Sequence, residues 1–172
     1  MDLVTALGRL LRDGKLRDAF AAMPEDIIER LGVQAADRPA LLAISAADLE
    51  AQAKVLLRKR YDAIAHLIPD TLSALGEKAW PGFQDYGRQY WPDGTDKEIR
   101  DATQFMRHCK QQYRKDVSSR ELNKLAFLSS RLSAAAHWIT DLQFRGRKRG
   151  GLQILIRRNG GRWTESILFL GF

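Results

Sequence analysis

The sequence of 172 residues lacks the features that define several classes of protein. It contains one cysteine, Cys109, so no disulfide can form within the chain, and a cytoplasmic location is the default expectation. No stretch of about 18 consecutive apolar residues is present, so we expect no membrane-spanning helix. The first residues, Met1–Thr5, lack the basic start and apolar core of a signal peptide.

Recognisable catalytic and metal-binding patterns are also missing. The histidines His66, His108 and His137 lie on different predicted helices, and none has the i, i+4 spacing of two ligands on one helix face. The glycines near the C-terminus lack both the P-loop pattern and a following helix start. We therefore expect that this chain is not an enzyme by itself and holds no metal and no cofactor.

Acidic residues are absent from the segment Arg145–Arg162, which contains seven lysines and arginines. The first 50 residues carry nine acids and six bases, a net charge of −3. Because the whole chain carries +7, the remaining residues carry +10. A basic block of this kind favours an anionic partner, either a nucleic acid or an acidic peptide. The alternative is a solvated patch that only promotes solubility.

Two apolar runs near the C-terminus, Leu152–Ile156 and Trp163–Leu170, predict a β-hairpin. Asn159-Gly160-Gly161 separates them, and Asn-Gly tolerates the positive φ that a tight hairpin turn needs. A lone hairpin is marginally stable in water, so we expect it to pack on helices. One of its edges would then be open to a partner.

Everything before the hairpin is predicted to be helical. Capping boxes at Thr95 and Ser118 begin two helices, the second of which is predicted to extend to Trp138. Two capped helices followed by a hairpin is the order of elements in a winged helix-turn-helix. The predicted fold class is therefore α+β, mainly α: a helical bundle with a C-terminal antiparallel β-hairpin and a winged helix-turn-helix-like peptide-recognition element in the C-terminal half. We divide it into an N-terminal helical unit (residues 1–68) and a unit of helices plus hairpin (69–172).

Five aromatic residues recur at helical spacing in the middle of the chain: Trp80, Phe83, Tyr86, Tyr90 and Trp91. An ordinary core seam is the simpler interpretation of such a stripe. The alternative is a docking face for a partner enzyme, because Trp and Tyr are enriched in protein interfaces.

Two stretches of the sequence carry a family resemblance. Residues 16–44 resemble the small helical unit of bacterial accessory proteins and of ring-opening dioxygenase small subunits. Residues 55–86 resemble the partner proteins of multinuclear non-haem iron-dependent oxidative enzymes, most of all the TglI-type subunit of the thiaglutamate pathway. Three shorter segments extend this second resemblance: W-P-D-G (91–94), D-A-T-Q-F-M-R-H (101–108) and L-Q-I-L-I-R-R (152–158).

This resemblance implies a non-catalytic subunit that binds a ribosomally synthesised precursor (leader) peptide and forms a heterodimer with the iron enzyme. The iron enzyme would hold all the metal, and in the thiaglutamate case it excises the β-carbon of a C-terminal cysteine carried on the peptide. An acidic leader would add as a strand to an edge of the hairpin. The predicted peptide-binding residues are Arg145, Arg147, Lys148, Arg149, Leu152, Ile154, Ile156, Arg157 and Arg158.

Two other functions remain open at this stage. A winged helix-turn-helix nucleic-acid-binding protein fits the pI of about 9.8, and its affinity for DNA would fall steeply with salt. Against it, the predicted recognition helix offers only Arg120, Lys124 and Arg131 as bases. An enzyme acting alone is the third hypothesis, and an assay of the purified chain for bound metal and turnover would detect it.

Overall fold

The computed structural model describes residues 1–113, 117–144, 147–158 and 161–169. These residues form nine α-helices, one short 3₁₀ helix and a three-stranded antiparallel sheet at the C-terminal end, which confirms the predicted fold class of α+β, mainly α. In chain order the elements are α1 (Leu3–Arg12), α2 (Gly14–Ala22), α3 (Pro24–Arg30), α4 (Arg38–Leu42), α5 (Ala46–Ala65), α6 (Pro69–Leu75), the 3₁₀ helix (Gly76–Lys78), α7 (Ala79–Gln89), α8 (Lys97–Tyr113), α9 (Ser119–Ser129), β1 (Ala134–Phe144), β2 (Arg147–Arg157) and β3 (Trp163–Phe169).

The described residues group into two compact units that alternate along the chain. The first comprises Met1–Ala63 and Trp80–Pro92, and the second comprises Ile64–Ala79 and the described residues that follow Asp93. The sequence predicts two domains that divide after residue 68. The grouping into compact units does not test whether such domains fold independently, so this division stays a prediction.

Local sequence signals explain the short helices of the first unit. The side chains of Asp2 and Asp13 accept hydrogen bonds from the backbone N–H groups of Thr5 and Leu16, so each caps a helix N-terminus. Ser45 does the same for the long helix α5, because its Oγ accepts from Asp48 N at 3.0 Å. The apolar faces of α1 to α5 bury a common core of Ala6, Leu10, Phe20, Ile27, Ile28, Val33, Leu41 and Leu49.

The second unit contains the sheet, whose strand order is β1-β2-β3. The β2–β3 hairpin was predicted, and Leu152 pairs with Leu168 while Ile156 pairs with Thr164. The turn residues 159–160 and Leu170 lie outside the described residues. On its other side β2 pairs with β1, from Ala134 opposite Ile156 to Phe144 opposite Arg147.

The prediction of one helix from Ser118 to Trp138 was wrong, because the last part of this segment belongs to strand β1. Helix α9 ends at Ser129, and β1 begins at Ala134. Three consecutive alanines favour a helix by intrinsic propensity, but pairing with β2 buries Ile139 and overrides that preference. The C-terminal element is consequently a three-stranded meander and not a two-stranded hairpin.

Candidate functional site

The predicted peptide-binding residues lie almost entirely on β2, the central strand of the sheet. Because β2 pairs with β1 on one side and with β3 on the other, its backbone is not available to an added strand. The expectation that Ile154 and Ile156 form an edge is therefore wrong, and the reason is the unpredicted strand β1. Arg145 lies outside the described residues.

The two faces of the sheet have different surroundings. On the inner face, which packs on α9, Gln153 is fully buried and its Nε2 donates to Arg120 O at 3.0 Å, while Asn123 Nδ2 donates to Gln153 Oε1 at 3.2 Å. Side chains of successive strand residues point to opposite faces. Leu152, Ile154 and Ile156 therefore lie on the opposite, outer face of the sheet.

Arg157 serves the fold and is not available to a peptide. Its Nη1 donates to Ser130 O at 2.9 Å and its Nη2 donates to Phe127 O at 3.1 Å, so the guanidinium caps the C-terminal end of α9. Its Cζ also lies 5.2 Å from the centroid of the Phe127 ring. The assignment of Arg157 to peptide binding is corrected to this structural role.

The other predicted bases lie at the two ends of β2. Arg147 and Arg149 are exposed near the start of the strand, and the backbone of Lys148 pairs with Gln143 of β1. Arg158 is exposed just after the end of the strand, where its backbone N–H donates to Arg162 O at 2.7 Å. These positions place positive charge at both ends of the sheet.

Both outer strands of the sheet have an open edge within the described residues. Arg157 N donates to Ser133 O on the β1 side, whereas Arg158 N donates to Arg162 O on the β3 side. Backbone N–H and C=O groups of alternate residues in an antiparallel strand point in the same direction. The backbone groups that face away from β2 on the β3 edge are therefore those of Trp163, Glu165 and Ile167.

Two side chains of helix α9 reach the inner face of β3. Lys124 Nζ lies 5.9 Å from the centroid of the partly exposed Trp163 ring. Arg120 bridges the helix and the strand, because its Nε and Nη2 donate to the carboxylate of Glu165 at 2.6 and 2.8 Å. Gln153 donates to the same carboxylate at 2.9 Å.

This pairing changes the pKa values of both charged groups. Burial acts to raise the pKa of Glu165, but the hydrogen bonds and the charge of Arg120 outweigh it, so the pKa of Glu165 lies below its usual value of 4.5. The hydrogen bond to Glu165 raises the pKa of Arg120. The pair is therefore ionised at neutral pH and holds β3 against α9.

Glu121 has a structural role that the sequence analysis missed. The capping box of α9 suggested that its side chain would bond back to Ser118, but its carboxylate instead accepts from the backbone N–H groups of Asp70 at 2.7 Å and Thr71 at 2.9 Å. Glu121 thereby satisfies the N-terminus of α6, about fifty residues away in sequence. Burial raises the pKa of Glu121, although these hydrogen bonds oppose that effect.

The aromatic stripe in the first unit is partly a core seam, as the simpler interpretation held. Phe83 is 0% exposed and Tyr86 is 5% exposed, and their ring centroids are 5.5 Å apart. Fully packed rings cannot contact a partner, so these two residues are removed from the predicted enzyme interface. Trp80, Tyr90 and Trp91 are partly exposed, and for them the interface role stays a prediction.

A polar cluster in the first unit was not anticipated. Arg88 donates to Glu50 and to Asp18, each at 2.7 Å, and the buried Arg17 donates to Glu50 and to the carbonyl groups of Leu10 and Leu11. These residues line a cavity of about 330 Å³ together with Ala21, Ala46 and Leu49. Two arginines and two carboxylates balance in charge, so the cluster joins helices and has no net attraction for an ion.

Two findings concern metal ligands and the thiol in the part of the chain that the structure describes. No group of three or more His, Cys, Asp or Glu side chains there is placed to hold a metal ion. Burial raises the pKa of Cys109 to about 12, which makes its thiol unreactive at neutral pH. No helix among these residues has the length and apolar character needed to cross a membrane.

Comparison with known proteins gives one similarity. Residues 29–111, just under half of the chain, match the family described as SCO6045-like, C-terminal domain. No curated protein and no solved structure matches the chain. The matched range includes the aromatic residues of α7 and ends before α9 and the sheet, so the candidate peptide site lies outside it.

Proposed function

We propose that this protein is a non-catalytic partner subunit that binds a ribosomally synthesised precursor peptide and presents its C-terminal cysteine to a multinuclear non-haem iron oxidative enzyme. The reaction would be β-carbon excision, as in thiaglutamate-type biosynthesis, with all iron in the partner enzyme. The resemblance of residues 55–86 to such partner subunits supports the proposal. The structural observation that carries it is the open edge of β3 beside α9.

The leader peptide would extend the sheet as a fourth strand along β3. The backbone groups of Trp163, Glu165 and Ile167 face this edge and would supply hydrogen bonds to the peptide backbone. The exposed parts of Trp163 and Phe169 lie on the side of α9 and would contact alternate peptide side chains. Lys124, at the Trp163 ring, adds positive charge beside this edge.

The charge of the C-terminal region is suited to an acidic leader. Residues 131–169 contain eight lysines and arginines and two acids, a net charge of +6. Both acids are held within the unit, because Asp141 accepts from Ser119 N at 2.8 Å and Glu165 is paired with Arg120. This net positive charge would therefore attract an acidic peptide, and the peptide should associate rapidly at low salt.

The proposal requires that genes beside this one encode a precursor peptide and an iron enzyme, and it is tested with those two products. The chain should co-purify with the enzyme, bind the peptide in a fluorescence-polarisation titration, and be required for loss of the β-carbon of the terminal cysteine. Retention of full enzyme activity without this chain would refute the proposal. So would failure of both the peptide and the enzyme to bind the folded protein.

The position of the peptide is tested by removing one N–H group from each open edge. Ile167→Pro removes a donor that faces the β3 edge without breaking the ladder to β2, and we expect about tenfold weaker peptide binding. Ile167→Ala is the control for the side chain, and Ala136→Pro is the matched change at the open edge of β1. Equal binding by Ile167→Pro and Ile167→Ala would exclude strand addition at β3.

The nucleic-acid alternative has weaker support. Of the bases on α9, Arg120 is paired with Glu165 and Lys124 lies at the Trp163 ring. Helix α9 also packs against both α8 and the sheet, so it does not project as a recognition helix. Steeply salt-dependent binding of duplex DNA, with no binding of the precursor peptide, would favour this alternative.

A further inference from the structure

The outer face of the sheet is an exposed apolar surface that the edge-binding proposal does not use. Trp138 is 56% exposed, Leu168 is 53% exposed and Ile156 is 44% exposed. Register places them on one face, since Trp138 pairs with Leu152, which pairs with Leu168. Within the described residues, the outer face consists of Ala134, Ala136, Trp138, Leu152, Ile154, Ile156, Thr164, Ser166 and Leu168.

The large side chains of the outer face follow the middle strand of the sheet. Leu152, Ile154 and Ile156 form a central ridge along β2, while small residues flank the ridge on both sides: Ala134 and Ala136 on β1, Thr164 and Ser166 on β3. Trp138 and Leu168 are the large residues at one end. The indole of Trp138 packs over Gly150, where an added Cβ would lie 3.4 Å from Cζ2.

The dimensions of the outer face suit a helix. The three strands span about 10 Å from β1 to β3, close to the diameter of an α-helix with its side chains. The ridge residues, two apart along a strand, are about 7 Å from one another. Apolar residues at i, i+4 and i+7 of a helix recur at about 5–6 Å and could pack along the ridge, and the small flanking residues would let the helix approach closely.

The charges around the outer face specify the sign of the partner. Arg158 and Arg162 lie at the end of the sheet near Ile156, and the alternation of side chains along β2 places Arg158 on the same side as Ile156. The two acids of the sheet, Asp141 and Glu165, are bonded to Ser119 and Arg120 of α9 and so belong to the inner side. The described part of the outer face is therefore apolar, with two arginines at one end and no acid.

We propose that the outer face docks an acidic amphipathic helix of a partner protein. The apolar stripe of that helix would pack along Leu152, Ile154 and Ile156, and its Glu and Asp side chains would pair with Arg158 and Arg162. A second copy of this chain fits less well, because residues 131–169 carry a net charge of +6 and two such regions would repel each other. The inference does not depend on strand addition at β3, which uses a different surface of the same sheet.

The test uses two synthetic helical peptides with the same Leu and Ala stripe, one flanked by Glu and the other by Lys. Fluorescence polarisation should show that the Glu peptide binds and that the Lys peptide binds at least about tenfold more weakly, with the difference shrinking as salt is raised. Trp138→Ala and Ile156→Ser should each weaken the Glu peptide by about tenfold or more. Arg158→Glu combined with Arg162→Glu should reverse the preference between the two peptides.

Matched controls separate this surface from the rest of the molecule. Val55→Ser replaces an apolar residue of similar exposure on α5, and it should leave binding unchanged. Ile167→Pro should weaken the precursor peptide but not the Glu peptide, so the two proposals can fail separately. Circular dichroism of each variant confirms folding.

Three results would overturn the inference. The first is equal affinity for the two peptides at low salt. The second is no detectable binding at a Glu peptide concentration of about 1 mM, which would mean a dissociation constant weaker than about 1 mM. The third is a concentration-dependent dimer, in analytical ultracentrifugation, that Ile156→Ser abolishes, because it would make a second copy the occupant of the outer face.

Discussion

Replacing Arg157 by Ala should destabilise the fold, although the sequence alone suggested a peptide-binding residue. The guanidinium donates at 2.9 and 3.1 Å to two carbonyl groups at the end of α9, and a third carbonyl, that of Leu128, is 3.4 Å away. Charge-assisted hydrogen bonds each contribute about 1.5–3 kcal/mol. Because water can reach part of this half-buried side chain and replace lost bonds, we expect a net loss of about 2–3 kcal/mol in the free energy of unfolding.

Urea denaturation monitored by circular dichroism measures this loss. With a slope of about 2 kcal/mol per molar urea, the midpoint should fall by about 1 M. Arg158→Ala is the matched control, because Arg158 is adjacent and exposed, and its removal should change the free energy of unfolding by less than about 0.5 kcal/mol. Equal midpoints for the two variants would refute the assignment of a capping role to Arg157.

Three further predictions concern single residues and are measured by urea denaturation, at a series of pH values for the two glutamates. Because the pKa of Glu165 is lowered, its pairing with Arg120 stabilises the fold above pH 4.5, and this stability is lost on further acidification. Glu165→Gln should remove that part of the acid sensitivity. An unchanged dependence of stability on pH would contradict the pairing. The raised pKa of Glu121 has the opposite effect on the pH dependence: its contribution to stability is present below pH 4.5 and is lost as the pH rises through the raised value. Glu121→Gln should remove this pH dependence. It should also cost about 1–3 kcal/mol at neutral pH, because an amide cannot accept from both N–H groups of α6. Phe83→Ala should cost about 3–5 kcal/mol, as expected for a buried aromatic residue, whereas a loss below about 1 kcal/mol would restore Phe83 as an interface candidate.

Local sequence chemistry was sufficient for most of the helices. Ser118 was predicted to begin a helix, and its side chain accepts the backbone N–H of Glu121 in the first turn. Asp2, Asp13 and Ser45 cap helices through the same local chemistry, although the sequence analysis did not name them. The β2–β3 hairpin was equally legible, since two apolar runs joined by Asn-Gly carry their own turn signal. These signals work because the residues that decide the structure are within a few positions of one another.

The functional surfaces were predicted less well because they depend on pairing at long range. Nothing near Ala134–Ala136 indicates a strand, and β1 exists because β2 offers it a ladder of hydrogen bonds more than ten residues later. That one strand moved the predicted edge residues to the centre of the sheet. It also turned Trp138 from a helix residue into part of the outer face.

The sequence by itself determined the mainly helical composition, the C-terminal hairpin and the excess of positive charge, because caps, turn residues and net charge are local or additive properties. Only the tertiary structure decided which of the bases are available: Arg157 and Arg120 are bound to α9 and to Glu165, while Arg147 and Arg158 remain exposed at the ends of the sheet. It also decided which strands have open edges and which face of the sheet is uncovered. Those properties depend on which segments pack together, and a guanidinium is committed or available according to the carbonyl and carboxylate groups that packing brings within hydrogen-bond distance.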